Sequence, residues 1–116
     1  MMYEPIEEFL GKVFSKIEVE DTEIKFHCDD GSIYLMHHEQ NCCETVSEED
    51  ICGNVENLIG SPIVMAAESS NSDNPPMDSH TWTFYNLATV KGYVTIRWLG
   101  ESNGYYSESV EIEKIY

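Results

Sequence analysis

Apolar residues occupy every second position near the C-terminal end of this 116-residue chain, and this two-residue period constrains the fold more than any other feature of the sequence. Within residues 93–99, Val94, Ile96 and Trp98 share one set of positions, and tyrosine, threonine and arginine stand between them. Successive side chains of a β-strand point to opposite faces of a sheet, so this alternation predicts a strand with one buried face. A sheet is therefore the expected framework of the fold.

Other segments carry the same period or are bounded by turn residues. Strands are predicted at 12–20, 24–28, 33–36, 62–67, 81–90 and 105–113, in addition to 93–99. In the first of them, Val13, Ile17 and Val19 share the apolar face. The Asp-Asp-Gly sequence at 29–31 predicts a hairpin turn. Residues 45–51 fit either a further strand or an irregular connection.

Two short helices are predicted, at 4–11 and at 54–60. Pro5 suits a first helical turn, Gly11 suits a helix end, and Asn54 suits an N-cap. Residues 69–79 are rich in serine, asparagine, aspartate and proline and predict a mobile surface loop. The expected fold is one α+β domain over 1–116, with about six or seven mainly antiparallel strands and two short helices.

The two predicted helices end in similar sequences. Residues 6–11 read Ile-Glu-Glu-Phe-Leu-Gly and residues 55–60 read Val-Glu-Asn-Leu-Ile-Gly, and each opens a run of predicted strands. The match indicates either a duplicated unit of one short helix and three strands or a chance likeness of two helix ends.

The charge balance excludes several functions. The chain has 22 acidic and 6 basic residues, so repulsion opposes binding to nucleic acid or to anionic membranes. The N-terminal sequence lacks the basic and apolar regions of a secretory signal, and no apolar run approaches the length of a membrane span. A cytoplasmic protein with reduced thiols is expected. Its acidity either maintains solubility or competes for a protein site that holds DNA or RNA.

The stretch from Met36 to Glu44 is the first place to look for chemistry, because it holds two histidines, two cysteines and two glutamates. Zinc accepts mixed imidazole and thiolate ligands, so the candidate metal ligands are His37, His38, Cys42 and Cys43. Adjacent residues of an extended chain point in opposite directions, which disfavours this site. A cysteine nucleophile with His38 as base is disfavoured too, because dense negative charge raises the pKa of a thiol. The favoured interpretation is structural, with packed cysteines and a turn fixed by His38, and no cofactor is expected.

Candidate binding residues are mainly acidic. Carboxylates spread along strands can imitate the phosphates of a nucleic acid and so bind proteins that handle it. The candidates are Glu18, Glu20, Asp21, Glu23, Asp29 and Asp30 in a first cluster, and Glu44, Glu48, Glu49 and Asp50 in a second. Glu108, Glu111 and Glu113 form a third cluster. The only arginine, Arg97, is interpreted as an ion-pair partner of Glu39 or Glu44, or as an anion anchor for a small ligand beside His38 and Tyr93.

Motifs spread over most of the chain resemble those of one protein family. They are found at 10–12, 29–31, 38–44, 49–53, 58–60, 82–85, 91–98 and 100–107. The family that they resemble consists of small uncharacterised proteins from bacteriophages and from bacterial, often Gram-positive, genomes. Its motif reads His-Glu-Gln-Asp-Cys-Cys-Glu, and Asn41 replaces the aspartate here, which weakens the case for metal binding or catalysis. The resemblance implies a phage or mobile-element protein that acts in a bacterial cytoplasm.

The leading hypothesis is a non-enzymatic, phage-type binding protein that inhibits a host defence or nucleic-acid-processing protein through its acidic surface. The alternatives are a protein that sequesters a nucleotide-like ligand near Arg97 and His38, and a small zinc protein. Exposed sheet edges favour a homodimer.

Overall fold

A computed structural model of the chain describes residues 3–39, 44–73, 79–102 and 107–116. These residues form eight strands and two short 3₁₀ turns. In chain order the elements are η1 (Ile6–Phe9), β1 (Phe14–Val19), β2 (Glu23–Cys28), β3 (Ile33–His37), β4 (Thr45–Cys52), η2 (Val55–Leu58), β5 (Met65–Asp73), β6 (Ser79–Thr89), β7 (Gly92–Ser102) and β8 (Glu111–Lys114). They build two four-stranded antiparallel sheets, in the orders β1-β2-β3-β8 and β4-β7-β6-β5.

The α+β prediction is wrong, because the described residues contain no α-helix. Both predicted helices are 3₁₀ turns of four residues, closed by bonds such as Leu10 N–H to Glu7 O at 3.0 Å. Gly11 and Gly60 follow them with φ of 83° and 87°, a conformation that turns the chain away from a helix. So short a segment cannot repay the cost of nucleating an α-helix. None of the described residues belongs to a helix of the length and apolarity that a membrane span needs.

The core lies between the two sheets. Trp98 of β7 is fully buried, and its indole Nε1–H donates to Met36 Sδ of β3 at 3.3 Å. The hydroxyl of Tyr85 on β6 donates across the core to Val110 O, just before β8, at 3.2 Å. These contacts join the inner faces of both sheets, so the outer faces are left to polar and half-buried residues.

The alternation in the sequence predicts several strands correctly. Ile24, Phe26 and Cys28 of β2 point into the core, as do Val94 and Ile96 of β7. The predicted face of β1 is wrong at its start, because a bulge between Phe14 and Lys16 shifts the register and buries Phe14. The ambiguous segment at 45–51 lies within β4.

The loop predicted at 69–79 is replaced by strand wherever the structure describes it. Residues 69–73 belong to β5 and residue 79 begins β6, while 74–78 lie outside the described residues. Each residue from Met65 to Asp73 pairs with a residue of β6 in unbroken register. Residues 67–73 are exposed, so their serine and asparagine side chains are compatible with a strand that buries neither face.

The short sequence match corresponds to a duplicated structure. The Gly11 N–H donates to Ile63 O, and the Gly60 N–H donates to Phe14 O, both at 2.9 Å. If the two halves of the sequence are aligned so that Gly11 matches Gly60, then Phe14 matches Ile63, and each of the two bonds is the counterpart of the other. The same alignment matches Val13 with Pro62, and these two residues form a bridge with each other. Each half contains a 3₁₀ turn and three sequential strands, β1-β2-β3 or β5-β6-β7. The fourth strand of each half joins the sheet of the other, since β4 pairs with β7 and β8 pairs with β3.

Candidate functional site

The exchange of strands brings two of the acidic clusters together. The turn between β1 and β2 is closed by a bond from Glu20 N–H to Glu23 O at 2.9 Å. The backbone N–H of Glu48 on β4 donates to Asp21 O in that turn at 2.7 Å. Residues far apart in the chain therefore meet where the two sheets adjoin. We call this surface the acidic corner, and it consists of Glu20, Asp21, Glu23, Glu48, Glu49 and Asp50.

The carboxylates of the acidic corner affect one another. Partial burial raises the pKa of Glu48, and the charges of Asp50 and Asp21 raise this pKa further. A shallow depression of about 80 Å³ beside the turn is lined by Glu18, Glu20, Glu23 and Lys25. The corner therefore concentrates negative charge, of which Lys25 offsets a part, and the remaining charge favours contact with an external basic surface.

Arg97 of β7 supplies a cation to the corner. Its Nε lies 2.7 Å from Glu49 Oε1, and its Nη2 lies 3.8 Å from Asp50 Oδ2. The Nε–H is not aimed at a hydrogen-bond acceptor, so this contact is a charge pair rather than a directed bond. The ion pair predicted from the sequence exists, but the predicted partners, Glu39 and Glu44, are wrong. The strand register explains the difference, because Arg97 stands opposite Asp50 at the bulge of β4.

Other candidate acids lie away from the acidic corner. Glu18 occupies the outer face of the first sheet, where His27 Nε2 lies 2.6 Å from its Oε2 and lowers the pKa of this carboxyl. Asp29 and Asp30 lie in the turn at the opposite end of β2, and the Ser32 hydroxyl donates to Asp30 Oδ1 at 2.5 Å. The first predicted cluster is thus divided between the two ends of one hairpin.

Glu108 of the third cluster is a buried structural residue. Only 8% of it is exposed, and the hydroxyls of Thr81 and Ser102 donate to its two carboxylate oxygens. Burial by itself raises the pKa of Glu108, but hydrogen bonds from Ser102, Thr81 and Ser79 outweigh burial and lower it. The sequence carries one signal of this burial, because Glu108 stands at the same alternate positions as the buried Val110 and Ile112.

Two residues of the stretch from Met36 to Glu44, His38 and Glu44, contact each other through their side chains. His38 Nε2 lies 2.7 Å from Glu44 Oε2, and its Nδ1–H donates to Ser109 O at 2.6 Å. Their side chains are 3% and 0% exposed. The pair joins the end of β3 to the start of β4, whereas the packing of Cys42 and Cys43 that the sequence favoured lies outside the described residues and stays a prediction.

The candidate metal ligands are only partly described. His37 Nε2 lies 3.1 Å from Glu113 Oε1, on the outer face of the first sheet, whereas the side chain of His38 is buried. Cys42 and Cys43 lie outside the described residues. Within 3–39, 44–73, 79–102 and 107–116, no three histidine, cysteine, aspartate or glutamate side chains are grouped to hold a metal ion.

The residues of the predicted small-ligand site are not brought together. Tyr93 is half exposed on the outer face of the second sheet, and its hydroxyl donates to Asn86 Oδ1 at 2.8 Å. Arg97 lies farther along that face, opposite Asp50, whereas His38 is buried at the end of β3. The three side chains do not line one cavity.

Sequence analysis missed an aromatic surface and an open strand edge. Trp82, Phe84 and Leu99 occupy half-buried positions on the outer face of the second sheet, and the Trp82 ring stacks on His80 at a centroid distance of 5.9 Å. The alternation around Trp82 shows that the two aromatic residues share a face, but not which face. The open edge belongs to β5, which its polar composition concealed.

Comparison with known proteins places the chain in a family. The model of a family described as a domain of unknown function (DUF7448) matches residues 7–112. No curated protein and no solved structure matches the chain. The chain therefore belongs to the DUF7448 family, and the match covers nearly the whole sequence, which agrees with the expectation of an uncharacterised family.

Proposed function

We propose that this member of the family is a non-enzymatic binding protein, encoded by a phage and acting in the bacterial cytoplasm. Its target is a host defence or nucleic-acid-processing protein, which it inhibits by placing the acidic corner on the basic surface that holds DNA or RNA. The observation that carries the proposal is the bond from Glu48 N–H to Asp21 O, which joins two separate acidic segments into one surface.

Lys25 lies in the depression beside Glu20 and Glu23 and offsets part of the charge of the acidic corner, whereas three other lysines have their contacts elsewhere. Lys12 lies 3.7 Å from Asp30, Lys16 lies 3.5 Å from Glu18, and Lys91 donates to Ile59 O. All three partners lie outside the acidic corner. Arg97 offsets part of the charge of Glu49 and Asp50. The remaining carboxylates supply the field that draws a basic surface.

The physical mechanism is charge complementarity. Opposite charges steer the encounter of two proteins, and they make the association rate depend on ionic strength. A basic surface that holds nucleic acid presents arginine and lysine side chains to phosphates, and carboxylates can take the place of those phosphates. Occupation of this surface would exclude nucleic acid without any chemical step.

A pair of matched variants tests the proposal. Glu20→Lys/Asp21→Lys reverses two exposed charges in the acidic corner, and Glu7→Lys/Glu8→Lys reverses two exposed charges in η1, beyond the other end of β1. The two variants carry the same net charge, so any difference between them reports position rather than total charge. Each protein is immobilised and exposed to the heparin-binding fraction of a bacterial lysate at about 50 mM salt, and bound proteins are eluted with rising salt.

Wild type and the η1 variant should retain the same stoichiometric partner and release it at similar salt. The corner variant should lose it, and free wild type should inhibit nucleic-acid binding by the isolated partner. Equal retention by both variants would refute the role of the acidic corner, and an isolated partner that still binds nucleic acid in the complex would refute inhibition.

A further inference from the structure

The two sheets expose four edge strands, and each edge is a template for pairing with another chain. The edges are β1 and β8 in the first sheet, and β4 and β5 in the second. Proteins protect such edges with bulges, charged side chains, short strands or covering segments. Three of the four edges are short, bulged or covered, whereas β5 has only two charged side chains to protect it.

The edges of the first sheet are short or covered. β8 has four residues, and the segment before η1 covers it through the bridge of Tyr3 to Glu113 and a bond from Glu4 N–H to Ile112 O. β1 carries its bulge at Phe14, where it forms a bridge to Ile59. Neither strand offers a long regular edge.

The β4 edge of the second sheet is also protected. Its register shifts between Glu48 and Asp50, and the Glu48 N–H is already used by Asp21 O. A second copy paired on this strand would oppose its own acids, Glu48, Glu49 and Asp50. Both the bulge and the charge therefore disfavour pairing here.

β5 has the opposite properties. Its nine residues pair with β6 without a register shift, and no strand of the described residues pairs with its other side. The exposed stretch 67–73 reads Ala-Glu-Ser-Ser-Asn-Ser-Asp, with Glu68 and Asp73 as its only charges. It contains no proline and no lysine. This edge is long and regular, and its two acids stand near its ends with five uncharged residues around and between them.

The internal duplication provides a comparison within one molecule. The alignment that matches Gly11 with Gly60 places Phe14, the first residue of β1, on Ile63, just before β5 begins at Met65, and both strands are edges of their sheets. β1 has six residues, a bulge and the charged residues Lys16 and Glu18, whereas β5 has nine residues and no bulge. The bulge and the short length that protect the β1 edge are absent from the equivalent edge of β5.

We propose that the β5 edge is a homodimer interface, in which a second copy of the chain pairs its own β5 antiparallel about a two-fold axis. Ser70 is the midpoint of the exposed stretch 67–73, so pairing the whole stretch places Ser70 opposite the Ser70 of the partner. Glu68 then faces a serine of the partner, and Asp73 faces an alanine. No two acids stand directly opposite each other, which makes a second copy of this acidic chain the occupant that fits.

The dimer is inferred from the β5 edge and does not depend on the function proposed for the acidic corner, but it adds to that function. Pairing at β5 joins the two second sheets into one continuous eight-stranded sheet. β4 and β5 lie at opposite edges of their sheet, so both acidic corners remain accessible at the outer ends. Such a dimer could bind two target molecules, or two basic surfaces of one target, and gain avidity.

Complementary charges at the two-fold axis test both the interface and its register. Ser70→Asp and Ser70→Lys each place like charges opposite each other in the homodimer, whereas a mixture of the two variants places opposite charges there. Thr45→Asp and Thr45→Lys, at an exposed position on the β4 edge, are the matched controls. Sedimentation velocity is recorded over about a hundredfold range of protein concentration, after circular dichroism has shown that every variant is folded.

Wild type and both Thr45 variants should form a dimer with the same dissociation constant. Each Ser70 variant alone should dimerise roughly threefold more weakly or worse, and the mixture of both should recover wild-type affinity. A wild type that remains monomeric, or one that forms open-ended assemblies, would overturn the proposal. So would a mixture that dimerises no better than its components, or Thr45 variants that weaken association as much as the Ser70 variants.

Discussion

The buried pair of His38 and Glu44 permits a quantitative test of the structural role assigned to the stretch from Met36 to Glu44. The two side chains are 3% and 0% exposed and lie 2.7 Å apart. Removing one member of a buried pair costs about 3–5 kcal/mol, because the contact that offsets the burial of the other member is lost. A domain of this kind has a total stability of about 5–15 kcal/mol, so either single substitution should remove a large part of it.

A double-mutant cycle isolates the interaction. His38→Ala and Glu44→Ala should each lower the free energy of unfolding by about 3 kcal/mol or more. The double variant should lose clearly less than the sum, with a coupling energy of about 2 kcal/mol, because the contact between the two side chains can be lost only once. Urea unfolding followed by the fluorescence of buried Trp98 supplies the free energies.

The chain contains its own control. His27 and Glu18 lie 2.6 Å apart, but their side chains are 26% and 41% exposed. Solvent screens this pair, so its coupling energy should be much smaller than that of His38 and Glu44. Equal coupling in the two cycles would refute the reasoning that burial gives the pair of His38 and Glu44 its structural importance.

Three further substitutions test the described contacts. Burial and neighbouring acids raise the pKa of Glu48 above 4.5, so the folded protein loses stability as pH rises through that pKa and the side chain becomes charged. Glu48→Gln removes this charge, so it should raise the urea midpoint at pH 7 and leave the midpoint unchanged near about pH 3.5. Glu108→Ala should cost about 2–4 kcal/mol at pH 7. It should also flatten the loss of stability on acidification, because the pKa of Glu108 is lowered below 4.5 and its contribution disappears as pH falls. Gly100→Ala should destabilise by about 1–3 kcal/mol, because a Cβ there would lie 2.7 Å from Glu108 Cβ and 2.8 Å from Glu108 O. Urea titrations at several pH values measure all three, and an unchanged midpoint for Gly100→Ala would contradict the close packing.

Strands with a regular apolar period could be predicted from the sequence. β2 and β7 bury every second residue, such as Ile24 and Phe26 or Val94 and Ile96, so local composition and tertiary position agree. The strand predicted at 62–67 covers only the start of β5, and its continuation to Asp73 could not be predicted, because an exposed edge strand needs no apolar face and its serines and asparagine resemble a loop. The predicted helices failed for a different reason, since Pro5 and Gly11 are compatible with a 3₁₀ turn as well as with a longer helix.

The candidate site was predicted in composition but not in arrangement. Glu20, Asp21 and Glu48 were candidates because they are acidic, yet their meeting depends on β4 leaving its own half to join β7. No local pattern encodes that exchange of strands. Burial changes the role of other acids in the same way, since Glu44 and Glu108 form internal contacts instead of surface charge.

Competition for a nucleic-acid site tests the central claim most directly. The partner retained by wild type is loaded with fluorescent DNA or RNA, and displacement is followed by anisotropy as each form of the chain is added. Wild type and Glu7→Lys/Glu8→Lys should displace the nucleic acid with equal potency, and more weakly as salt rises. Glu20→Lys/Asp21→Lys should fail to displace it. Equal displacement by the corner variant would contradict the assignment of inhibition to the acidic corner.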